Sequence, residues 1–252
     1  QKPDTDATTV QTVRAFKPTP PPLLPKLDDK EGRGLRVVIL PIRGTIDLGL
    51  PPFVARVLAD AEGAKAVILD VDTFGGRVDG AVQIRDAILG SQVPVIAYVN
   101  RRAISAGALI SLAADHIVFA PGGSLGAATP VQLEGGQAKA VGEKTVSYMR
   151  SEMRATAEAK GRNGDLAEAM VDADIALEGV SEKGKLLTLS AQRAEDVGLA
   201  TAIIDDIPTL MKALGLESAD VDRPTVNWGE QVSRFLTDPV VSGLLMSVGM
   251  LG

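Results

Sequence analysis

The sequence predicts an α/β protein made of successive βαβ units, and three observations predict it. Short apolar runs rich in β-branched residues recur as LRVVILPI (35–42), AKAVILDVD (64–72), VPVIAYV (93–99) and HIVFAP (116–121), the pattern of strands covered on both faces. Between them, PPFVARVLADAEG and DGAVQIRDAILGS carry apolar residues at helical spacing, so strands alternate with helices and run parallel through right-handed crossovers. The loops TFGGRVDG, NRRAISAG and PGGSLGAATP, each rich in Gly, Ser or Thr, fall beyond the carboxyl ends of strands, where ligands collect in such folds.

The remaining elements follow in order. Residues 1–34 begin with glutamine and pass through KPTPPPLLPKLDDKEGRG, with no n-region or h-region of a signal peptide, so they read as a linker after a processed N-terminus. The glycine-rich stretch 122–144 has weak periodicity and reads as a mobile loop over a site. A long helix is expected from Glu143, with Val146, Met149, Met153 and Ala157 on one stripe and Gly161 as its stop. DLAEAMVD, GKLLTLSAQRAEDVGLA, TAIIDDI and PTLMKALGL read as helix, strand and helix, strand, helix, which takes the folded domain from 35 to 215. In 216–238, Trp228, Val232 and Phe235 recur at spacings of four and three, as on an amphipathic juxtamembrane helix. PVVSGLLMSVGMLG (239–252) is uncharged throughout and reads as the start of a truncated transmembrane helix, a spanning helix needing ~20 residues; a buried helix or a dimer contact is the alternative.

Composition limits the chemistry. At 252 residues and 45% hydrophobic content the chain can bury a large core. A net charge of −6 and 3% aromatic residues offer no phosphate-tracking patch and no stacking platform, so no nucleic-acid partner is expected. The absence of cysteine excludes disulfides, thiolate nucleophiles and thiolate metal sites. No metal and no cofactor are expected.

Ser105 stands between small residues in AISAGALISLAAD, just before an apolar helical stretch. A serine hydroxyl needs a base to take its proton, and His116, the one histidine, opens a strand eleven residues on, where a structural role fits better. A lysine serves instead when it can lose its proton. Lys144 sits in the expected first turn of a helix, where the macrodipole disfavours an ammonium, though Glu143 opposes this and an exposed surface lysine is the plainer reading. Acyl transfer also needs oxyanion donors, and the amides of Gly75, Gly76 and Ala106 are candidates.

DVDTFGGRVDGAVQIRDAI, VNRRAISAGALISLAADHIVFAPGGSLGAATPV, EKTVSYMRSEMRATAEAKGRN and LTLSAQRAEDVGLA resemble the membrane-bound NfeD-type serine proteases, relatives of ClpP and the signal peptide peptidase group, over residues 35–215. The resemblance implies a ClpP/crotonase-like spiral of βαβ units. It implies Ser105 as nucleophile, Lys144, separated by sixteen residues from GRN (161–163), as base, and Gly75 and Gly76 as contacts to oxyanion and substrate backbone. Phe74 departs from the family's TPGG, where proline is usual. The implied activity is endopeptidase cleavage, by a Ser-Lys dyad, of hydrophobic segments in membrane-associated proteins such as stomatin- or flotillin-like partners. The implied setting is a homo-oligomer, a dimer or larger, anchored in a membrane with this domain on the extracytoplasmic side. A non-catalytic scaffold binding a membrane partner and a crotonase-like acyl-CoA enzyme are the rival readings.

Overall fold

A computed structural model describes residues 13–27, 35–134 and 137–237, with 241, 243 and 247. Four strands and three helices alternate through its first half: β1 (Arg36–Ile46), α1 (Leu50–Asp60), β2 (Ala66–Gly76), α2 (Val78–Leu89), β3 (Val95–Ile104), α3 (Ala106–Leu112) and β4 (His116–Phe119). Then come β5 (Ser124–Gly126), β6 (Val131–Glu134), β7 (Gln137–Ala140), α4 (Glu143–Ala159), α5 (Gly164–Ala169), β8 (Thr188–Ser190), α6 (Ala191–Asp196), β9 (Ala202–Ile203), α7 (Ile207–Leu214), β10 (Asp220–Asp222) and α8 (Trp228–Thr237).

The main sheet runs β10-β1-β2-β3-β4-β9, with every pairing on this path parallel. Alternate residues explain the continuous apolar runs. Leu40, Leu69 and Ala97 face a core completed by α1, α2, α3 and α4, whereas Ile39, Ile68, Ile96 and Tyr98 face a second one closed by Leu210 and Leu214 of α7. A strand buried on both faces has no polar alternation to show.

β3 changes partner along its length. Through Val99 it pairs with β4, and from Arg102 onward with β5, which in turn carries β8 antiparallel. The end of β3, with Ser105 just beyond it, thus lies between β2, through Thr73↔Ala103, and β5. α4 follows the expected stripe, burying Met149, Met153 and Ala157, and Gly161 ends it at φ +69°, a conformation glycine adopts without steric cost.

Three features differ from the reading of the sequence. The stretch 122–144 is not a plain loop: β5 joins the sheet, and β6 and β7 pair antiparallel in register Val131↔Ala140 to Glu134↔Gln137. Four-residue strands are too short for a period-2 pattern to stand out amid so much glycine. β10 pairs with Arg36–Val38, so the sheet continues beyond residue 215. Finally, residues 13–27 of the expected linker make specific contacts. Arg14 bonds Ala176 and Glu178 through its backbone and Asp165 and Glu168 through its guanidinium, and Leu27 N–H donates to Leu214 O. Residues 1–12, 28–34 and nearly all of 239–252 lie outside the described residues, so the expected membrane segment lies outside them too. Among the described residues no helix is long and apolar enough to cross a membrane.

Candidate active site

Ser105 is the single residue between β3 and α3. Its backbone sits at φ 56°, ψ −117°, a region an L-residue enters at a cost on the order of 1–3 kcal/mol. The conformation is held from both sides: Ser105 N–H donates to Gly126 O (2.9 Å) of β5, and Ser105 O accepts from Ala108 N–H (2.9 Å) of α3. The side chain stays partly exposed while α3 behind it is buried. The small residues of the SAG stretch have a packing reason, since Thr73 Cγ2 fills the space a side chain at Gly107 would need.

The end of β2 lies against this serine. A β-carbon on Gly75 would stand 2.6 Å from Ser105 Cβ and 3.1 Å from Ser105 Oγ, and one on Gly76 would stand 2.2 Å from Ile46 O. Both positions therefore require glycine. Their amides differ. Gly75 N–H donates to Thr73 Oγ1 (2.9 Å), and Thr73 Oγ1 in turn donates to Gly44 O (2.6 Å). Arg77 N–H donates to Ile46 O across the sheet (2.8 Å), so the preceding Gly76 N–H turns to the opposite side. Ala106 opens α3, where helix geometry leaves an amide without an intrahelical acceptor.

Lys144 is the second residue of α4 and is exposed; among the described residues its Nζ makes no ion pair or hydrogen bond. Its neighbour Thr145 faces α2 across a cleft of about 500 Å³ lined also by Arg77, Val78, Asp79, Val82 and Tyr148. The first turns of α2 and α4 thus border one cleft that begins directly after Gly76. His116 stands elsewhere. It pairs with Ile96 at the start of β3, nine residues before Ser105, on the order of 30 Å along the strand. Burial holds its imidazole below the usual histidine range, Asp115 opposing, and among the described residues Nδ1 has no hydrogen-bond partner.

Two supporting residues escaped the sequence reading. Thr73, buried, holds the Gly-Gly turn as described. Arg162, also buried, donates to Leu112 O (2.8 Å) and Asp115 O (3.0 Å), so it caps the far end of the helix that Ser105 opens. Burial pushes its guanidinium down to about 10. Beside it Lys160 pairs with Asp115 (2.7 Å). The GRN motif was the visible signal for Arg162; nothing marked Thr73. Phe74 projects outward, 73% exposed, with the Arg102 guanidinium 4.4 Å from its ring centroid. Thr129, in the stretch after β5, donates its hydroxyl to Val171 O. Among the described residues no group of three or more His, Asp or Glu side chains could hold a metal ion.

A family model described as the NfeD1b N-terminal domain matches residues 36–224. The chain belongs to this NfeD1b family. Membrane protein NfeD1b of Bacillus subtilis is 42% identical over 219 residues, 86% of this chain and 49% of that protein. The membrane-bound protease PH1510 of Pyrococcus horikoshii is 28% identical over 214 residues, 77% of this chain and 46% of that one. The chain therefore spans about half the length of the curated relatives it matches. Its fold matches a mutant of the 1510-N membrane-bound stomatin-specific protease solved with a substrate peptide, at a TM-score of 0.69 and 26% identity, covering 82% of this chain and 99% of that one. ClpP1 of Listeria monocytogenes, 22% identical, aligns at a TM-score of 0.50 over 68% of this chain and 94% of its own, a likeness of fold.

Proposed function

We propose that this domain is a serine endopeptidase working through a Ser105–Lys144 dyad. The observation that carries the reading is Ser105 in its strained strand-to-helix turn, pressed against Gly75. Neutral Lys144 accepts the hydroxyl proton as Ser105 Oγ attacks a peptide carbonyl, and the resulting oxyanion is held by the Gly76 and Ala106 amides. Gly75, its own amide engaged by Thr73, contributes the close approach. Lys144 then protonates the leaving amine, and water releases the acyl group.

The substrate is an extended hydrophobic segment of a membrane-associated protein. β5 is paired on both sides, by β3 and β8, and the amides of Ala127 and Ala128 donate to Leu187 O and Met170 O, so we assign an added peptide strand to β6 rather than to β5 or to the residues that follow it. The cleft beyond Gly76, with Val78, Val82 and Tyr148 in its wall, offers an apolar side-chain site. That PH1510-N is named for stomatin supports a stomatin-like partner, and the names of both curated relatives support membrane attachment. A homo-oligomer with the domain on the extracytoplasmic side completes the proposal.

The test is cleavage of hydrophobic peptides by the wild-type chain, Ser105→Ala and Lys144→Ala, followed by mass spectrometry over a pH series. Cleavage by the wild type alone, rising with pH, is the expected result. Cleavage surviving in Ser105→Ala refutes the mechanism. Binding of a stomatin-like protein by all three without cleavage leaves the scaffold reading, which the unpaired Lys144 side chain favours.

A further inference from the structure

α8 carries an exposed apolar stripe on a helix that is locked in place. Trp228, Val232, Phe235 and Leu236 are 80%, 44%, 62% and 49% exposed, and at 100° per residue they share one side of the helix. Glu230, on the opposite side, pairs with Arg56 of α1 through Nε (2.8 Å) and Nη2 (2.9 Å). Asn227 and Glu230 also cap the helix reciprocally: Glu230 N–H donates to Asn227 Oδ1 and Asn227 N–H to Glu230 Oε2, each at 2.8 Å. The Glu230 side chain is only 9% exposed. α8 therefore cannot roll its apolar stripe onto the body of the protein without breaking the bidentate ion pair to Arg56.

We propose that this stripe lies in the surface of a lipid bilayer and holds the domain there at a fixed attitude. Two observations select lipid as the occupant. Past Asp238 the sequence from Pro239 to Gly252 carries no charged side chain, so an apolar segment adjoins the stripe in the sequence. The four side chains offer roughly 400 Å², about half of the ~800 Å² per partner that a stable protein interface buries, whereas an interfacial helix needs only one apolar stripe at headgroup depth. A net charge of −6 gives no attraction to anionic lipid, so insertion is driven by apolar burial and is insensitive to salt. The inference stands apart from the peptidase reading, and neither depends on the other.

Trp228 is the only tryptophan, which makes it a clean reporter. The 252-residue chain is titrated with phosphatidylcholine vesicles, with and without phosphatidylglycerol, while the emission of Trp228 and its quenching by brominated lipid are followed. Expected are a blue shift, quenching by lipid brominated near the headgroup, no gain from phosphatidylglycerol, and partitioning weakened ~10-fold or more in Phe235→Ser/Leu236→Ser. Vesicle binding that leaves Trp228 unshifted and unquenched overturns the proposal, since the chain after α8 would then anchor alone. A blue shift that grows with protein concentration in the absence of vesicles also overturns it, in favour of a second copy. Arg56→Gln, which removes the latch and leaves the stripe intact, separates a fixed from a loose attachment: bilayer binding persists, and the Trp228 anisotropy of the bound chain falls.

Discussion

Gly75 at the end of β2 and Ser105 just beyond β3 stand so close that a β-carbon on the first would lie 2.6 Å from Cβ of the second. Glycine at 75 already sits at φ +106°, a value that strains any L side chain. Gly75→Ala has two faults at once and no flexible neighbour to absorb them. Stability falls by ~1–3 kcal/mol, and peptide cleavage falls by ~100-fold or more because the serine is displaced from its oxyanion donors. Thermal melting and a peptide assay on the same sample measure both. Near-normal turnover in Gly75→Ala would show that the serine does not need this contact.

Lys144 behaves in the opposite way. It is exposed and has no partner among the described residues, so Lys144→Met leaves stability within ~0.5 kcal/mol of wild type, while removal of the base lowers cleavage by ~1,000-fold or more. A parallel loss of melting temperature and activity would assign the residue to structure instead.

Thr73 links the strand ends through its hydroxyl. Thr73→Val keeps the methyl against Gly107 but leaves Gly75 N–H and Gly44 O without their partner, a cost of ~1–3 kcal/mol. Thr73→Ser keeps both hydrogen bonds and forfeits the methyl contact. The order of activity expected is wild type, then Thr73→Ser, then Thr73→Val; the reverse order of the two variants would locate the effect in packing.

Arg162 bears on the nucleophile from the far end of α3. Arg162→Leu strips the donors from Leu112 O and Asp115 O, which costs ~1–3 kcal/mol and lets α3 shift. A drop in kcat with little change in KM, partly restored by Arg162→Lys, is the outcome expected of a positioning residue.

Acid should weaken the fold in two steps. Burial lowers the His116 pKa from its usual value of 6.5, so the unfolded chain binds the proton more readily and stability declines as pH falls below about 6.5. Glu168 is depressed as well: burial opposes the shift, but hydrogen bonds from Arg154 and Arg14 outweigh it. Its contribution is therefore complete above about 4.5 and is lost as pH falls below that. Melting curves of wild type and His116→Gln across this range check the first step, which should flatten in the variant. An unchanged slope would exclude His116 as its source.

The elements with strong periodicity were legible. α4 starts at Glu143, as expected, because its stripe and its terminating glycine are both local signals. Ser105 between a strand and a helix was legible for the same reason. Less visible were β5 and β10, each three residues long. Such strands exist only because a neighbour supplies hydrogen bonds, and no pattern within three residues can announce a partner about 20 or 180 positions away. The contacts of Arg14 with Asp165 and Glu168 are of that kind, joining residues more than 150 positions apart.

By itself the sequence determined the alternation of strands and helices, the double burial of the sheet, and a chemistry without thiols, because residue type and local spacing carry these. Tertiary structure alone decided that the Gly-Gly turn is pressed against Ser105, that Thr73 takes the Gly75 amide and leaves Gly76 facing the other way, and that α8 is latched to α1 with its apolar side outward. The physical reason is range. Helical and strand preferences act over a few neighbouring residues, whereas a hydrogen-bond partner or a steric limit at 2.6 Å exists only once distant segments have been packed against each other.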